Sequence, residues 1–379
     1  MKISVPASFE EGYLEELSKH KEVINVYGKL PSDFVGGGYE TSRLPDISVD
    51  KLESYIAKTN SLGITFSYVI NGTVMNNDEY TQSGIKKLHE LLAFLDSKNL
   101  ESVTVSNVYL IHYIRKNFPH LPIKISSNLM VDTVEKARHF ESLGAKIIVL
   151  DPILVNRNLK MLKAIRRAVS CELELIVNNN CFHQCPYLSY HQSYLSFNSR
   201  TVNEENHTPF DFCYTTCSRI RVLDPGYWIK ADWIRPEDMH AYEEIGYDRI
   251  KLIDRCTPAD VLLNRVQAYA NRSYDGNLLD LILHYGYNDT ISPQEYLNNI
   301  YIDNKKLDGF FEKSFFRAEC SHLNCNVDCT KCFDHASQAI TINEEWRQRM
   351  IEKKNHEYEE QVGEISRLSA IPETMGGVI

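Results

Sequence analysis

Eight of the ten cysteines of this chain fall into two close groups. The first group consists of two C-x3-C pairs, formed by Cys181, Cys185, Cys213 and Cys217. The second is more compact and comprises Cys320, Cys325, Cys329 and Cys332. Thiolates are soft ligands that favour iron–sulfur clusters and zinc, and four of them complete a coordination shell. The spacing therefore predicts two sites with four thiolates each.

The first group favours iron over zinc. Paired C-x3-C motifs supply four thiolates through short turns, as a [4Fe–4S] cluster requires, whereas structural zinc sites more often use C-x2-C knuckles. A radical S-adenosylmethionine motif is excluded, because Leu188 stands where its third cysteine is needed. We therefore predict a [4Fe–4S] cluster at the first group.

The second group leaves its metal open. The pair Cys329-x2-Cys332 suits either a second [4Fe–4S] cluster or zinc. Such a site would relay electrons or brace the C-terminal region. Cys171 and Cys256 stand alone in the sequence and are predicted to be buried, unreactive thiols.

The bulk composition is that of a globular enzyme. The 379 residues are 43% hydrophobic and 24% charged, with a formal net charge of −10. This acidic balance argues against nucleic acid as a partner. The sequence contains no apolar run of the roughly 18 residues that a membrane span needs, and its start lacks the apolar region of a secretory signal. We expect a cytoplasmic chain, in which clustered cysteines are metal ligands rather than disulfides.

Short Val- and Ile-rich runs alternate with amphipathic stretches up to about residue 255. Nine strands are predicted, at Ile3–Ala7, Val23–Tyr27, Ile64–Ile70, Val103–Val108, Ile123–Ser127, Ile147–Leu150, Leu173–Val177, Trp228–Ala231 and Arg249–Ile253. Such alternation indicates an α/β fold with a parallel sheet, and eight or nine strands favour a (β/α)8 barrel of the TIM type. We predict the barrel over residues 1–257 and a small, helical, cysteine-rich C-terminal extension over residues 258–379.

The intervening patterns predict helices. They lie at Thr81–Lys98, Asp132–Leu143, Leu159–Ala168, Pro236–Ile245, Pro258–Tyr269, Leu278–Tyr285 and Asn343–Glu360. Asp132 is the expected N-cap of its helix, and Gly144 its stop. The run Gly36-Gly37-Gly38 could approach a ligand closely, but we interpret it as a flexible turn.

Active sites of such barrels lie at the carboxyl ends of the strands. The candidate catalytic residues at or near these ends are Asn178, His183, Tyr187, His191 and Asp232. A histidine or tyrosine beside a cluster can move a proton or bind substrate, and hydrogen bonding within the loop is the alternative. The candidate substrate-binding residues are Arg43, Lys251 and Arg255, which can hold a carboxylate or form ion pairs within the barrel.

Three stretches carry a family resemblance. They are ELIVNNNCFHQCPYLSYH, DFCYTTCSRIR and WIKADWIRPEDMHAYEEIGYDRIKLIDR, within the first 260 residues or so. They resemble the collagenase-like unclassified peptidases, family thirty-two. The resemblance implies a barrel with a [4Fe–4S] cluster on the four cysteines of the first group. It also implies an oxygen-independent hydroxylase of the kind that acts on ubiquinone precursors or RNA bases, with prephenate as oxygen donor. The peptidase label is the older description of the family.

The chain departs from that family in two places. Asn178-Asn179-Asn180 replaces its His-Gly, and the C-terminal cysteines are additional. Our main hypothesis is an iron–sulfur enzyme that carries out oxygen-independent redox or hydroxylation chemistry on a small molecule or peptide. The alternatives are a metal-dependent peptidase and a non-catalytic subunit of a heterodimer. A protein partner would be the other subunit or an electron donor. The chain lacks the G-x-S-x-G and H-E-x-x-H motifs of serine and zinc peptidases.

Overall fold

The computed structural model describes residues 1–200, 211–287, 289–312 and 327–369. Eight parallel strands form a closed barrel in chain order. They are β1 (Lys2–Pro6), β2 (Val23–Gly28), β3 (Thr65–Ile70), β4 (Ser102–Val105), β5 (Ile123–Ile125), β6 (Ala145–Val149), β7 (Glu172–Ile176) and β8 (Arg249–Lys251). The barrel closes where Ile3 of β1 pairs with Ile250 of β8. The predicted (β/α)8 barrel is therefore confirmed.

Charged side chains occupy part of the barrel interior. Glu174 of β7 is fully buried, and its Oε1 atom accepts hydrogen bonds from Ser4 Oγ at 2.6 Å and from Arg249 Nε at 2.9 Å. The Nζ atom of Lys124 lies 3.4 Å from the same oxygen. The barrel therefore contains an ion network beneath the mouth in addition to its apolar layers.

Seven helices lie between the first seven strands. They are α1 (Tyr13–Ser18), α2 (Val49–Ser61), α3 (Gln82–Asp96), α4 (Val108–Asn117), α5 (Val134–Ser142), α6 (Pro152–Val155) and α7 (Leu159–Ala168). The N-cap of α5 is Thr133 and not Asp132, since the Thr133 hydroxyl accepts from Lys136 N at 3.3 Å. Asp132 instead forms an ion pair with the Lys136 side chain at 2.6 Å. Gly144 ends this helix at a φ of 83°, as predicted.

The connection from β7 to β8 is long and helical. It contains α8 (Leu188–Asn198), α9 (Phe212–Leu223), α10 (Gly226–Lys230) and α11 (Met239–Glu243). The strand predicted at Trp228–Ala231 is wrong, because this segment is α10. Its aromatic and branched residues favour a strand locally, but the barrel is already closed by eight strands, and Pro225 begins a helical turn that buries Trp228. Asp232 consequently follows a helix rather than the eighth strand.

The chain continues after β8 with α12 (Ala259–Asn271), which packs beside β1 and α1. The remaining elements are α13 (Leu278–Ile282), α14 (Pro293–Asn299), β9 (Ile300–Ile302), α15 (Lys331–Ala339), β10 (Ile340–Ile342) and α16 (Glu344–Ser369). Strands β9 and β10 pair antiparallel. Helix α16 lies against α9, where Gln361 donates to Thr215 Oγ1 at 3.0 Å. The division at residue 257 stays a prediction.

Three predicted strands extend two or three residues too far, and the one predicted at Arg249–Ile253 ends at Lys251. Val103–Val108 ends at Val105, because Asn107 caps α4 by accepting from Leu110 N at 3.2 Å. The strand at Ile123–Ser127 ends at Ile125. In the described part of the chain, no helix is both long and apolar enough to cross a bilayer.

Candidate cysteine-lined site at the barrel mouth

The structure brings the first cysteine group together. Cys181 and Cys185 lie in the loop that leaves β7, and Cys213 and Cys217 lie one turn apart on α9. All four line one cavity of about 430 Å³ including its open side, which we call the thiol cavity. Residues far apart in the sequence therefore meet at the carboxyl end of β7, where barrel enzymes place their chemistry.

A histidine–carboxylate contact joins the two halves of the thiol cavity. Asp211 caps α9 by accepting from Tyr214 N at 2.9 Å. Its other oxygen lies 2.6 Å from His191 Nε2 on α8. Because α8 follows the first cysteine pair and α9 carries the second, this contact fixes the two pairs relative to each other.

Burial disfavours ionisation of these thiols. It raises the pKa of Cys181 and of Cys213 to about 12, and that of Cys217 to about 11. A cysteine nucleophile needs a lowered pKa. A bound metal supplies the positive charge that allows buried thiols to become thiolates. The environment therefore fits metal ligands better than a nucleophile.

The donor set is that of a four-thiolate site. A four-iron cube binds one thiolate at each of its four corners. Four soft donors around one cavity, with the buried guanidinium of Arg221 in the same wall, match an anionic cluster.

A larger cavity lies at the barrel mouth, directly beside the thiol cavity. We call it the barrel-mouth cavity, and its volume is about 970 Å³ including its open side. The walls of the two cavities share Cys181, Leu188, His191 and Tyr287. A group held by the thiols would therefore face a molecule bound in the barrel mouth.

The barrel-mouth cavity contains two buried cations. Arg255 lies with its guanidinium 5.1 Å from the Tyr39 ring, and its buried Nη1 atom has no hydrogen-bond partner in the described structure. Lys251 Nζ lies 4.0 Å from the centre of the Tyr27 ring. Burial lowers the pKa of Lys251 to about 7. These side chains can bind an anionic group. Arg43, the third predicted member, is not among the residues that line this cavity.

Acidic and amide groups complete the cavity wall. Asp151 follows β6, and burial raises its pKa to about 7. Its Oδ2 atom, Asn71 Oδ1 and Asn179 Nδ2 are buried without a described hydrogen-bond partner. These three atoms are therefore available to hydrogen-bond a polar molecule in the cavity.

The other predicted catalytic residues separate into three positions. His191 lines both cavities, and Tyr187 lines the thiol cavity. His183 and Asp232 form a pair, with Nδ1 2.9 Å from Oδ2, and neither lines these two cavities. Asn178 bridges the loops after β7 and β8, because its Oδ1 atom accepts from Ile253 N at 2.8 Å. Their catalytic roles stay predictions.

The glycine run is packed rather than flexible. Gly37 N donates to Ser199 Oγ at 2.7 Å, and Gly38 lines the barrel-mouth cavity. Gly36 has a φ of 79°, and a Cβ atom there would lie 2.4 Å from Ser199 Oγ. The positive φ and this close approach both favour glycine, and the Gly37–Ser199 hydrogen bond ties the run to the end of α8.

Sequence reasoning missed Tyr287 and Arg221. Arg221 follows Cys217 by one helical turn, and this spacing was a signal that could have found it. Tyr287 follows α13 with no motif around it. In the second cysteine group, Cys329 and Cys332 are partly buried, and Cys320 and Cys325 lie outside the described residues. The second metal site stays a prediction.

A parallel eight-stranded barrel with a cysteine-lined site at its mouth defines the class of this chain. Residues 34–269 match Peptidase family U32, and the chain therefore belongs to that family. An uncharacterized protease of Methanocaldococcus jannaschii is 29% identical over 342 residues, covering 87% of this chain and 95% of that protein. The solved structure of the U32 peptidase Mk0906 is 20% identical, covers 67% of this chain and 92% of its own, and gives a TM-score of 0.49.

Proposed function

We propose that this member of the U32 family is an iron–sulfur enzyme. Cys181, Cys185, Cys213 and Cys217 would hold a [4Fe–4S] cluster, and an anionic small molecule or peptide would bind in the barrel-mouth cavity. The observation that carries the proposal is that Cys181 lines both cavities. When bound, such a cluster supplies one-electron chemistry.

The chain's own side chains bind and orient the substrate. Lys251 and Arg255 supply positive charge for a carboxylate. Asp151, with its pKa near 7, can hold or release a proton close to neutral pH. Leu188 and Ile253 form an apolar part of the wall of the barrel-mouth cavity, which would exclude water from the bound molecule.

The reaction class we propose is oxygen-independent redox or hydroxylation chemistry. Two buried cations in one cavity suit prephenate, whose carboxylates need such partners, as the oxygen donor. A peptide with an acidic group is the other substrate that the same charges suit. A second cluster or zinc at Cys320, Cys325, Cys329 and Cys332, and a protein that supplies electrons, belong to the same proposal.

Metal analysis of anaerobically purified chain tests the proposal. We expect at least four irons and four sulfides per chain, with a brown absorption band near roughly 400 nm. Cys181→Ser should remove at least one cluster, whereas Cys171→Ser should keep the wild-type content, because Cys171 lies at the opposite end of β7. A colourless protein that contains only zinc would refute the iron–sulfur assignment.

A metal-dependent peptidase is the second candidate. The family and the Methanocaldococcus relative are both named for peptidases, and the His191–Asp211 pair beside the barrel-mouth cavity resembles an oriented general base. This candidate predicts that a zinc-loaded, colourless chain cleaves peptides and that a chelator abolishes cleavage. Peptide libraries incubated with the purified chain distinguish it from the redox enzyme. A cluster-containing chain that is active only with a second protein would favour the heterodimer alternative.

A further inference from the structure

Arg221 is a buried cation without a carboxylate partner in the described part of the chain. Its side chain is only 2% exposed. Its guanidinium lies 4.6 Å from the Trp228 ring and 5.0 Å from the Phe182 ring, and Nη2 donates to Asn180 O. Nη1 lies 4.0 Å from Cys217 Sγ. The polar contact that points towards the thiol cavity is therefore to a cysteine.

The helix explains this position. Cys213, Cys217 and Arg221 follow one another at intervals of four residues on α9. Residues four apart lie on the same face of a helix, one turn above the other. All three consequently line the thiol cavity.

A buried charge is costly unless an opposite charge compensates it. A cluster bound by four thiolates would supply the negative charge that compensates Arg221. The position of Arg221 therefore suits the cluster-containing form of the thiol cavity.

We infer that Arg221 is a positioning residue that compensates the negative charge of the thiolate-bound cluster and raises its reduction potential. This inference rests on the proposed function. Reduction by one electron from dithionite adds one negative charge to the cluster, and a fixed positive charge beside it favours the reduced form. The potential is accordingly higher than it would be without Arg221.

The test compares Arg221→Gln with Arg221→Lys and with Arg219→Gln as a matched control. Arg219 is on the same helix but faces α16, where Nε donates to Asn355 Oδ1 at 2.7 Å. Dithionite titration followed by absorbance gives the potential, and thermal unfolding is measured with and without the cluster. R221Q should shift the redox equilibrium about tenfold towards the oxidised form, which is about 59 mV for one electron. In R221K and R219Q, the redox equilibrium should stay within about threefold of wild type, which corresponds to about half of that shift in potential.

The apo-proteins give an independent readout. Without the cluster, R221Q should be at least as stable as wild type, because the uncompensated cation has been removed. A purely structural role would destabilise R221Q in both forms. Loss of iron from R221Q but not from R221K, with both apo-proteins folded, would also support charge compensation.

Three results would overturn the inference. An unchanged potential in cluster-containing R221Q removes the role of Arg221 and leaves the cluster proposal intact. Loss of iron from both R221Q and R221K shows that charge is not the property that matters. A wild-type chain without iron refutes both the proposed function and this inference.

Discussion

The Nε2 atom of His191 lies 2.6 Å from the Oδ2 atom of Asp211. This contact joins α8, which follows the first cysteine pair, to the N-terminus of α9, which carries the second. The same histidine lines both the thiol cavity and the barrel-mouth cavity. The pair therefore joins the segments that carry the thiols and borders the barrel-mouth cavity.

Replacement of His191 should weaken the retention of iron in the thiol cavity. His191→Phe removes a hydrogen bond to a buried carboxylate, which is worth about 1.5–3 kcal/mol. We expect iron to be lost to a chelator at least several-fold faster than from wild type, as followed by the decay of visible absorption. His183→Phe is the control, because it breaks a similar pair with Asp232 outside both cavities. Equal rates of iron loss from the two variants would contradict the joining role of His191.

Anion binding in the barrel-mouth cavity should depend on Lys251. Lys251→Met should weaken prephenate binding about tenfold or more, since a hydrogen bond to a charged group is worth about 1.5–3 kcal/mol. Isothermal titration calorimetry measures the change. Lys86→Met is the control, because Lys86 is exposed on α3. Equal affinities of K251M and wild type would exclude Lys251 from the binding site.

The affinity for prephenate should fall as the pH rises through about 7. Burial lowers the pKa of Lys251 to about 7, so its positive charge is lost above that pH. Asp151, with its pKa raised by burial to about 7, gains negative charge over the same range. Both changes weaken the binding of an anion. The pH dependence of prephenate affinity should diminish in K251M and persist in part in Asp151→Asn. A pH-independent affinity in wild type would refute the roles assigned to Lys251 and Asp151.

Glu174 should be essential for stability. Glu174→Gln removes the fully buried carboxylate that Lys124 and Arg249 share and leaves Glu101 as the other carboxylate that contacts both, so the loss should approach but not exceed the about 3–5 kcal/mol of a broken buried pair. Guanidinium chloride unfolding measures this loss. Glu16→Gln is the control, because its exposed pair with Lys19 is worth at most about 1 kcal/mol. Similar free energies of unfolding for E174Q and wild type would show that the network is not stabilising.

The pH dependence of stability has a defined sign. Burial by itself would raise the pKa of Glu174. The positive charges of Lys124 and Arg249 have the larger combined effect and lower this pKa to about 2 from the ordinary 4.5. The stabilisation is therefore complete above pH 4.5 and is lost as the pH falls towards 2. Accordingly, the difference between wild type and E174Q should shrink in that range.

The packing of the glycine run can be separated from its backbone conformation. Gly36 and Gly63 have φ angles of 79° and 76°, but a Cβ atom would collide with Ser199 only at Gly36. Gly63→Ala should cost about 1–2 kcal/mol for the left-handed conformation, and Gly36→Ala about 1–3 kcal/mol more for the collision. Thermal or denaturant unfolding of the two variants measures the difference. Equal losses would show that the Gly36 loop moves away without cost.

The elements that depend on local pattern were predictable. Strands of the barrel are buried on both faces, so their Val- and Ile-rich runs were recognised, and α7 was predicted with its observed bounds, Leu159–Ala168. The segment at Trp228–Ala231 was misassigned because a short apolar run suits a strand or a helix equally. Closure of an eight-stranded barrel left no place for a ninth strand.

By itself the sequence determined the barrel class, the family resemblance and the grouping of the cysteines, because these follow from residue types and short spacings. Only the tertiary structure decided that the two cysteine pairs share a cavity and that Cys181 also faces the barrel mouth. It also decided that Arg221 lies among the thiols and that Glu174 is surrounded by cations. These relationships join residues far apart in the chain. They arise from the closure of the barrel and the packing of α8 and α9 over its mouth, which no local pattern encodes.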